Sequence, residues 1–142
     1  MHITYDRFPG GKTKALTMSY DDGVRDDIRL IEIFNRHGIR GTFHLNAGLF
    51  GRESWSRLPE DGIKEIYAGH EISAHGYLHR ALTSTPDEGI IAEIMLDREK
   101  LEAITGGPIR GMSYAFGSAN SHVVDMLRML GMEYARVVET TG

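Results

Sequence analysis

Apolar and polar positions along this chain change period repeatedly, and each change marks a switch between strand and helix. Leu16, Met18 and Tyr20 alternate with Thr17 and Ser19, which predicts a strand ending at Asp21. Val24, Ile28, Ile31 and Phe34 follow at helical spacing until His37-Gly38 stops them. Thr42 to Leu45 reads as a short strand leading into a loop from Asn46 to Trp55. A weaker helix, interrupted by Gly62, falls near Pro59 to Ala68, and Glu71 to Ala74 is another short strand running into His75. The strongest helical pattern is Pro86 to Ile104, where Ile90, Ile94, Leu101 and Ile104 share a face. Thr85 is expected to cap it, with Pro86 in the first position and Glu88 completing a capping box. Gly106-Gly107-Pro108 ends it. Met112 to Tyr114 then reads as a strand, and Asn120 or Ser121 as the cap of a helix carrying Val123, Leu127 and Leu130. Tyr134 to Val138 is a last strand.

Strands separated by helices argue for parallel βαβ units, so the expected fold class is α/β, as an open sheet or part of a barrel. In such folds functional groups collect where strands run out into the following loops. Asp21-Asp22, Asn46, His75 and the Phe116-Gly117-Ser118 turn all fall just after predicted strands. Four polar loop clusters on one face say more than any one of them.

Composition narrows the chemistry. The length of 142 residues suits one domain over 1–142. With 16 Lys+Arg against 20 Asp+Glu and no basic run, nucleic acid is a poor partner. Without cysteine there is no disulfide, no thiolate nucleophile and no Cys-ligated zinc. No apolar run approaches the length of a membrane span. Met1 to Gly11 is polar and broken by Pro9-Gly10-Gly11, unlike a signal peptide. That points to the cytoplasm, or to the cell envelope or exterior if a leader has been trimmed.

Asp-Asp-Gly after a strand reads on its own as a turn or helix cap. A His-x-x-x-His pair arises easily by chance among seven histidines. His75 and His79 would share a face on a helical turn, and Gly76 makes a tight loop an equal option. On the same end of an α/β fold, however, two imidazoles and a carboxylate are one donor set of an open catalytic zinc site. The second aspartate would then be free to handle a proton.

These residues resemble the polysaccharide deacetylases of carbohydrate esterase family 4, the chitooligosaccharide deacetylase homology domain. The family's Thr-Phe-Asp-Asp-Gly is matched by Ser19-Tyr20-Asp21-Asp22-Gly23, and its His-(Ser/Thr)-x-x-His by His75 through His79. Its third motif, Arg-x-Pro-(Phe/Tyr) followed by glycine, is matched in part by Tyr114-Ala115-Phe116-Gly117. Gly41-Thr42-Phe43 and the helix end from Leu101 to Gly107 extend the similarity. The resemblance implies part of a distorted (β/α) barrel and a metal-dependent hydrolase that removes N- or O-acetyl groups from a carbohydrate. It implies Asp22, His75 and His79 as ligands of a divalent metal, zinc first. Asp21 would be the base that activates the attacking water, and a backbone N–H at Phe116 would meet the developing oxyanion.

Departures from the family pattern set further expectations. The third-motif arginine, which orients the base, aligns with Ser113, and Arg110 three residues earlier is the candidate to substitute for it. Ala115 replaces a stiffening proline, and Gly76 a hydroxyl residue that steadies the histidine loop. The family also continues to an aspartate–tryptophan motif and a Leu-x-His motif carrying the general acid, whereas only Glu139 to Gly142 follow Val138 here. A truncated domain, an N-terminal portion with weak or no activity alone, is expected, its open sheet edge covered by self-association or by a missing C-terminal segment. Two alternatives stand beside the deacetylase: a hydrolase of the same fold cleaving a non-sugar amide, and a non-catalytic glycan-binding module. The other histidines carry plainer expectations. His44 is packed or hydrogen-bonded, His70 is structural or at the surface, His37 suits a helix C-terminus, and His2 and His122 are solvated. Trp55 is a sugar-stacking platform or a loop anchor, and Met126, Met129 and Met132 are core filler.

Overall fold

The computed structural model describes residues 7–139, so His2 lies outside the described residues. The period-two segments form β1 (Met18–Asp21), β2 (Gly41–Leu45), β3 (Glu71–Ala74), β4 (Gly111–Ser113) and β5 (Tyr134–Arg136). They pair in sequence order and all in parallel. Parallel neighbours need crossovers. These are α1 (Asp26–His37), α2 (Ile63–Ile66), α3 (Asp87–Thr105) and α4 (Ser121–Met129), one in each gap.

Local chemistry sets most helix ends. Asn120 caps α4, its side chain accepting from the Val123 N–H at 2.9 Å. Gly106, in the left-handed region, ends α3. The expected capping box at the start of α3 is absent. Pro86 takes the cap position with extended backbone, while the Thr85 hydroxyl donates to Ala81 O at 2.9 Å, closing the turn before it.

The two faces of the sheet differ. On the convex side Phe43 stacks on Tyr20 and packs at a tilt against Tyr67, and Ile94, Leu101 and Val123 are fully buried beneath the helices. Met126 and Met132 join this core as expected, but Met129 faces solvent at 78% exposure, off the buried stripe of α4. On the concave side the alternate residues are polar and bond across strands. His44 Nε2 meets Ser19 Oγ at 2.9 Å, Thr42 donates to Glu71 at 2.6 Å, and Tyr134 donates to Glu71 at 2.7 Å. The sheet is strongly curled. Five flat strands would set β1 and β5 roughly 19 Å apart, yet Arg136 of β5 reaches Asp21 of β1 at 2.5 Å. This is the curled half of a distorted (β/α) barrel. Among the described residues no helix is long and apolar enough to cross a membrane.

Candidate active site

Asp21 is the last residue of β1 and its side chain turns into the concave face. Its Oδ1 accepts from Ser113 Oγ at 2.9 Å and from Arg136 Nη2 at 2.5 Å. Oδ2 lies 4.0 Å from His75 Nε2. Burial would raise the Asp21 carboxyl, but the Arg136 bond, the pull of His75, the Ser113 bond and the guanidinium charge hold it below its ordinary value. Strand alternation would send the next side chain to the opposite face. Asp22 escapes that rule with a φ of 87°, which brings its Oδ1 to 3.7 Å from the same histidine nitrogen.

His75 follows β3 directly. Its Nδ1 lies 2.9 Å from the Ser113 carbonyl, which can only accept, and 2.7 Å from the Ser113 hydroxyl. Nδ1 therefore carries the proton and Nε2 keeps a free lone pair. His79 sits across a tight loop rather than on a helical turn, its Nε2 3.6 Å from Asp22 Oδ1. Burial and the neighbouring His75 push its imidazole below the ordinary value, toward the neutral form a metal needs.

Asp22, His75 and His79 offer one ligand atom each, all within 4.8 Å of one another. Ligands at roughly 2.0–2.2 Å from a tetrahedral ion stand about 3.3–3.6 Å apart. The observed 3.6 and 3.7 Å are close to that spacing. Asp22 Oδ1 is also buried without a hydrogen bond, since the ion pair from Arg57 Nη2 at 2.8 Å lacks the angles of one. Donor set, spacing and orphaned oxygen all fit a divalent cation.

The histidine loop is clamped from behind by carboxylates of α3. Asp97, wholly buried, accepts from the backbone N–H of Ala47 at 2.7 Å and of His75 at 2.9 Å. Glu93 accepts from Leu78 N–H at 2.9 Å, and its carboxylate lies 3.1 Å from where a Cβ on Gly76 would sit. The Asn46 side chain donates to the carbonyls of His75 and Gly76 at 2.8 and 2.7 Å. Gly76, at φ 83°, thus gives the loop a conformation that leaves room for Glu93.

Backbone strain gathers here too. Among the described residues four non-glycines have left-handed φ: Asp22, Ser56, His79 and Phe116. Three line the site and the fourth precedes Arg57, which donates to the Asp22 carbonyl. Such strain persists where the surroundings over-determine a functional geometry. The Phe116 ring packs edge-on against His79 with centroids 4.5 Å apart, exposed on its outer side. Trp55, half-exposed, lies against the Arg57 guanidinium at 5.6 Å.

The sequence profile of the polysaccharide deacetylase family matches residues 9–135. The chain belongs to that family. It is 31% identical over 94 residues to a probable peptidoglycan-N-acetylglucosamine deacetylase of Arthroderma benhamiae, covering 66% of this chain and 21% of that protein. A chitin deacetylase of the same fungus is 34% identical over 99 residues, covering 68% of this chain and 25% of that one. The chain thus spans about a fifth to a quarter of the length of these curated relatives. In fold it matches the Streptococcus pyogenes deacetylase PplD, solved in complex with acetate, with a TM-score of 0.80 and 18% identity. That match covers 89% of this chain and 56% of the other.

Within this polysaccharide deacetylase fold, Asp21, Asp22, His75, His79 and Phe116 come together at the strand ends. Arg110 does not. It precedes β4, at the far end of the strand, and pairs with Glu133 at 2.6 Å on the surface. Arg136 contacts Asp21 in its stead. Arg57, Glu93 and Asp97 were also missed by sequence reasoning. Only Arg136 carried a signal, because it alternates with Tyr134 on a strand and so shares its face. His44, His70 and His122 are hydrogen-bonded to Ser19, to the Gly41 N–H and to Asp87.

Proposed function

We propose that this domain is the catalytic half-barrel of a metal-dependent deacetylase that hydrolyses acetyl groups on an amino sugar or a related carbohydrate. The observation that supports it most is the asymmetry at Asp21: Oδ1 is tied by two donors, and Oδ2 faces the Asp22–His75–His79 cluster. Zinc held by that cluster would polarise the acetyl carbonyl and favour deprotonation of water. Asp21 Oδ2 takes the proton from the attacking water as its oxygen bonds to the acetyl carbon. The carbon–nitrogen bond then breaks, acetate forms, and the departing nitrogen takes up the proton that Asp21 removed from the water. The Phe116 backbone N–H, in a left-handed turn whose ring packs against His79, would meet charge developing on the carbonyl oxygen. The half-exposed Trp55 offers a flat apolar face beside the site for a sugar ring.

The test is acetate release from N-acetylated chitooligosaccharides by the zinc-supplemented protein, alongside metal titration. One equivalent of zinc should bind to the wild type and none to His79→Ala. Asp21→Asn should keep the metal and lose roughly 10²–10⁴-fold in kcat. Zinc bound equally well by His79→Ala would overturn the ligand assignment, and equal acetate release by Asp21→Asn the assignment of the base.

A further inference from the structure

We infer that Arg136 is the positioning residue for Asp21, a guanidinium supplied from β5 to a carboxylate on β1. The inference rests on the deacetylase reading and deepens it. Ser113 and Arg136 are direct partners in the β4–β5 register, so their side chains stand on the same concave face. Ser113 carries no charge to set against the carboxylate. Its hydroxyl gives Asp21 Oδ1 one neutral hydrogen bond at 2.9 Å while also meeting His75 Nδ1 at 2.7 Å. Arg136 reaches past it and places Nη2 on the same Oδ1 at 2.5 Å. A charge-assisted bond and a neutral one on a single oxygen fix the carboxylate plane. The other oxygen is left unbonded toward the site.

The strand itself is built to hold Arg136 there. Tyr134, two residues earlier on the same face, lies so close over Gly111 that a Cβ there would stand 1.9 Å from the ring. Its hydroxyl bonds Glu71 at 2.7 Å, fastening β5 across the concave face to β3. The Arg136 carbonyl accepts from Tyr114 N–H at 3.0 Å, so its backbone is pinned as well. Among the described residues no hydrogen bond or ion pair joins the guanidinium to Asp22, His75 or His79. Its reach is to the base alone among the four.

Arg136→Met and Arg136→Lys separate this role from a structural one. Arg136→Met should bind zinc with wild-type stoichiometry and affinity and keep its KM. Its kcat should fall on the order of 100-fold, the cost of a reacting group misplaced by about an ångström. Arg136→Lys should recover part of that loss, and it carries the same measurements if the Met variant does not fold. Crystal structures of the metal-free proteins give a readout independent of turnover: in Arg136→Met the Asp21 carboxylate should rotate away from the cluster. An unchanged kcat, a KM effect alone, or lost zinc binding would overturn the proposal while leaving the deacetylase reading intact. If the wild type releases no acetate, that reading fails. The crystal structures then decide the role of Arg136, and an unmoved Asp21 carboxylate would overturn it.

Discussion

On the convex face of the sheet Phe43, Leu45 and Met112 pack beneath the helices. One residue along in the same strands, Thr42, His44 and Ser113 turn to the concave face and bond to neighbouring strands. The convex face is filled by aromatic and aliphatic side chains whose burial drives folding. The concave face buries polar groups as well, and each needs a partner to offset its desolvation. The bonds among them also aim Asp21 and His75. Stability and chemistry are thus divided by the pleat, one residue apart in sequence and on opposite sides of one sheet. Helix α3 joins the two, since Ile94 and Leu101 pack the core while Glu93 and Asp97 hold the histidine loop.

The sharpest break of that division is a deletion from the convex side. Ile94→Ala removes a fully buried side chain and should cost about 2–5 kcal/mol in denaturant unfolding. The fraction that remains folded should still bind one equivalent of zinc. Loss of zinc stoichiometry in the folded fraction would mean the faces are coupled.

A smaller effect concerns the seam, measured on metal-free protein. Burial pushes the Asp97 carboxyl up to about 7, against hydrogen bonds from the backbone of Ala47, His75 and Gly76, whereas the unfolded value is 3.8. Its contribution to stability is fully present below the unfolded value and is lost as pH rises through about 7. His44 acts in the opposite sense. Burial lowers it to about 4 from 6.5, with Arg136 and His75 adding to the shift and Asp21 opposing it. Its contribution is present above 6.5 and is lost as pH falls through about 4. Between those limits the two offset each other in the wild type. Asp97→Asn removes the carboxyl that offsets the histidine, so its melting temperature should drop more steeply than the wild type's from pH 7 to 4. Parallel melting profiles would remove Asp97 from this account.

The smallest effect is expected at the solvent-open end of the concave face. Thr42 bonds to Glu71 there, and Thr42→Val should change stability by less than about 0.5 kcal/mol. A larger change would show that the polar ladder also holds the fold.

Much of this was legible along the chain because the signals were local. Five strands and the helices between them follow from period and from breakers such as Gly38 and Gly106. Asn120 was readable as a cap because its partner, Val123, is three residues away. The Thr85 cap was misread because its hydroxyl had a nearer acceptor in the preceding turn, at Ala81. Arg110 was misplaced for a different reason. Adjacency in sequence puts it near Ser113, but a strand rises about 3.3 Å per residue, so three positions move it to the other end of β4.

The fold class, the family and the residue types gathered at the strand ends are all written along the chain, in its period or in a contiguous motif. Which oxygen of Asp21 is tied, which tautomer His75 adopts, and which arginine reaches the carboxylate were decided only by the tertiary structure. These depend on pairs separated by 92, 38 and 115 positions. Curling of the sheet brings such pairs together, and curvature is a property of all five strands at once. No short stretch of residues encodes it.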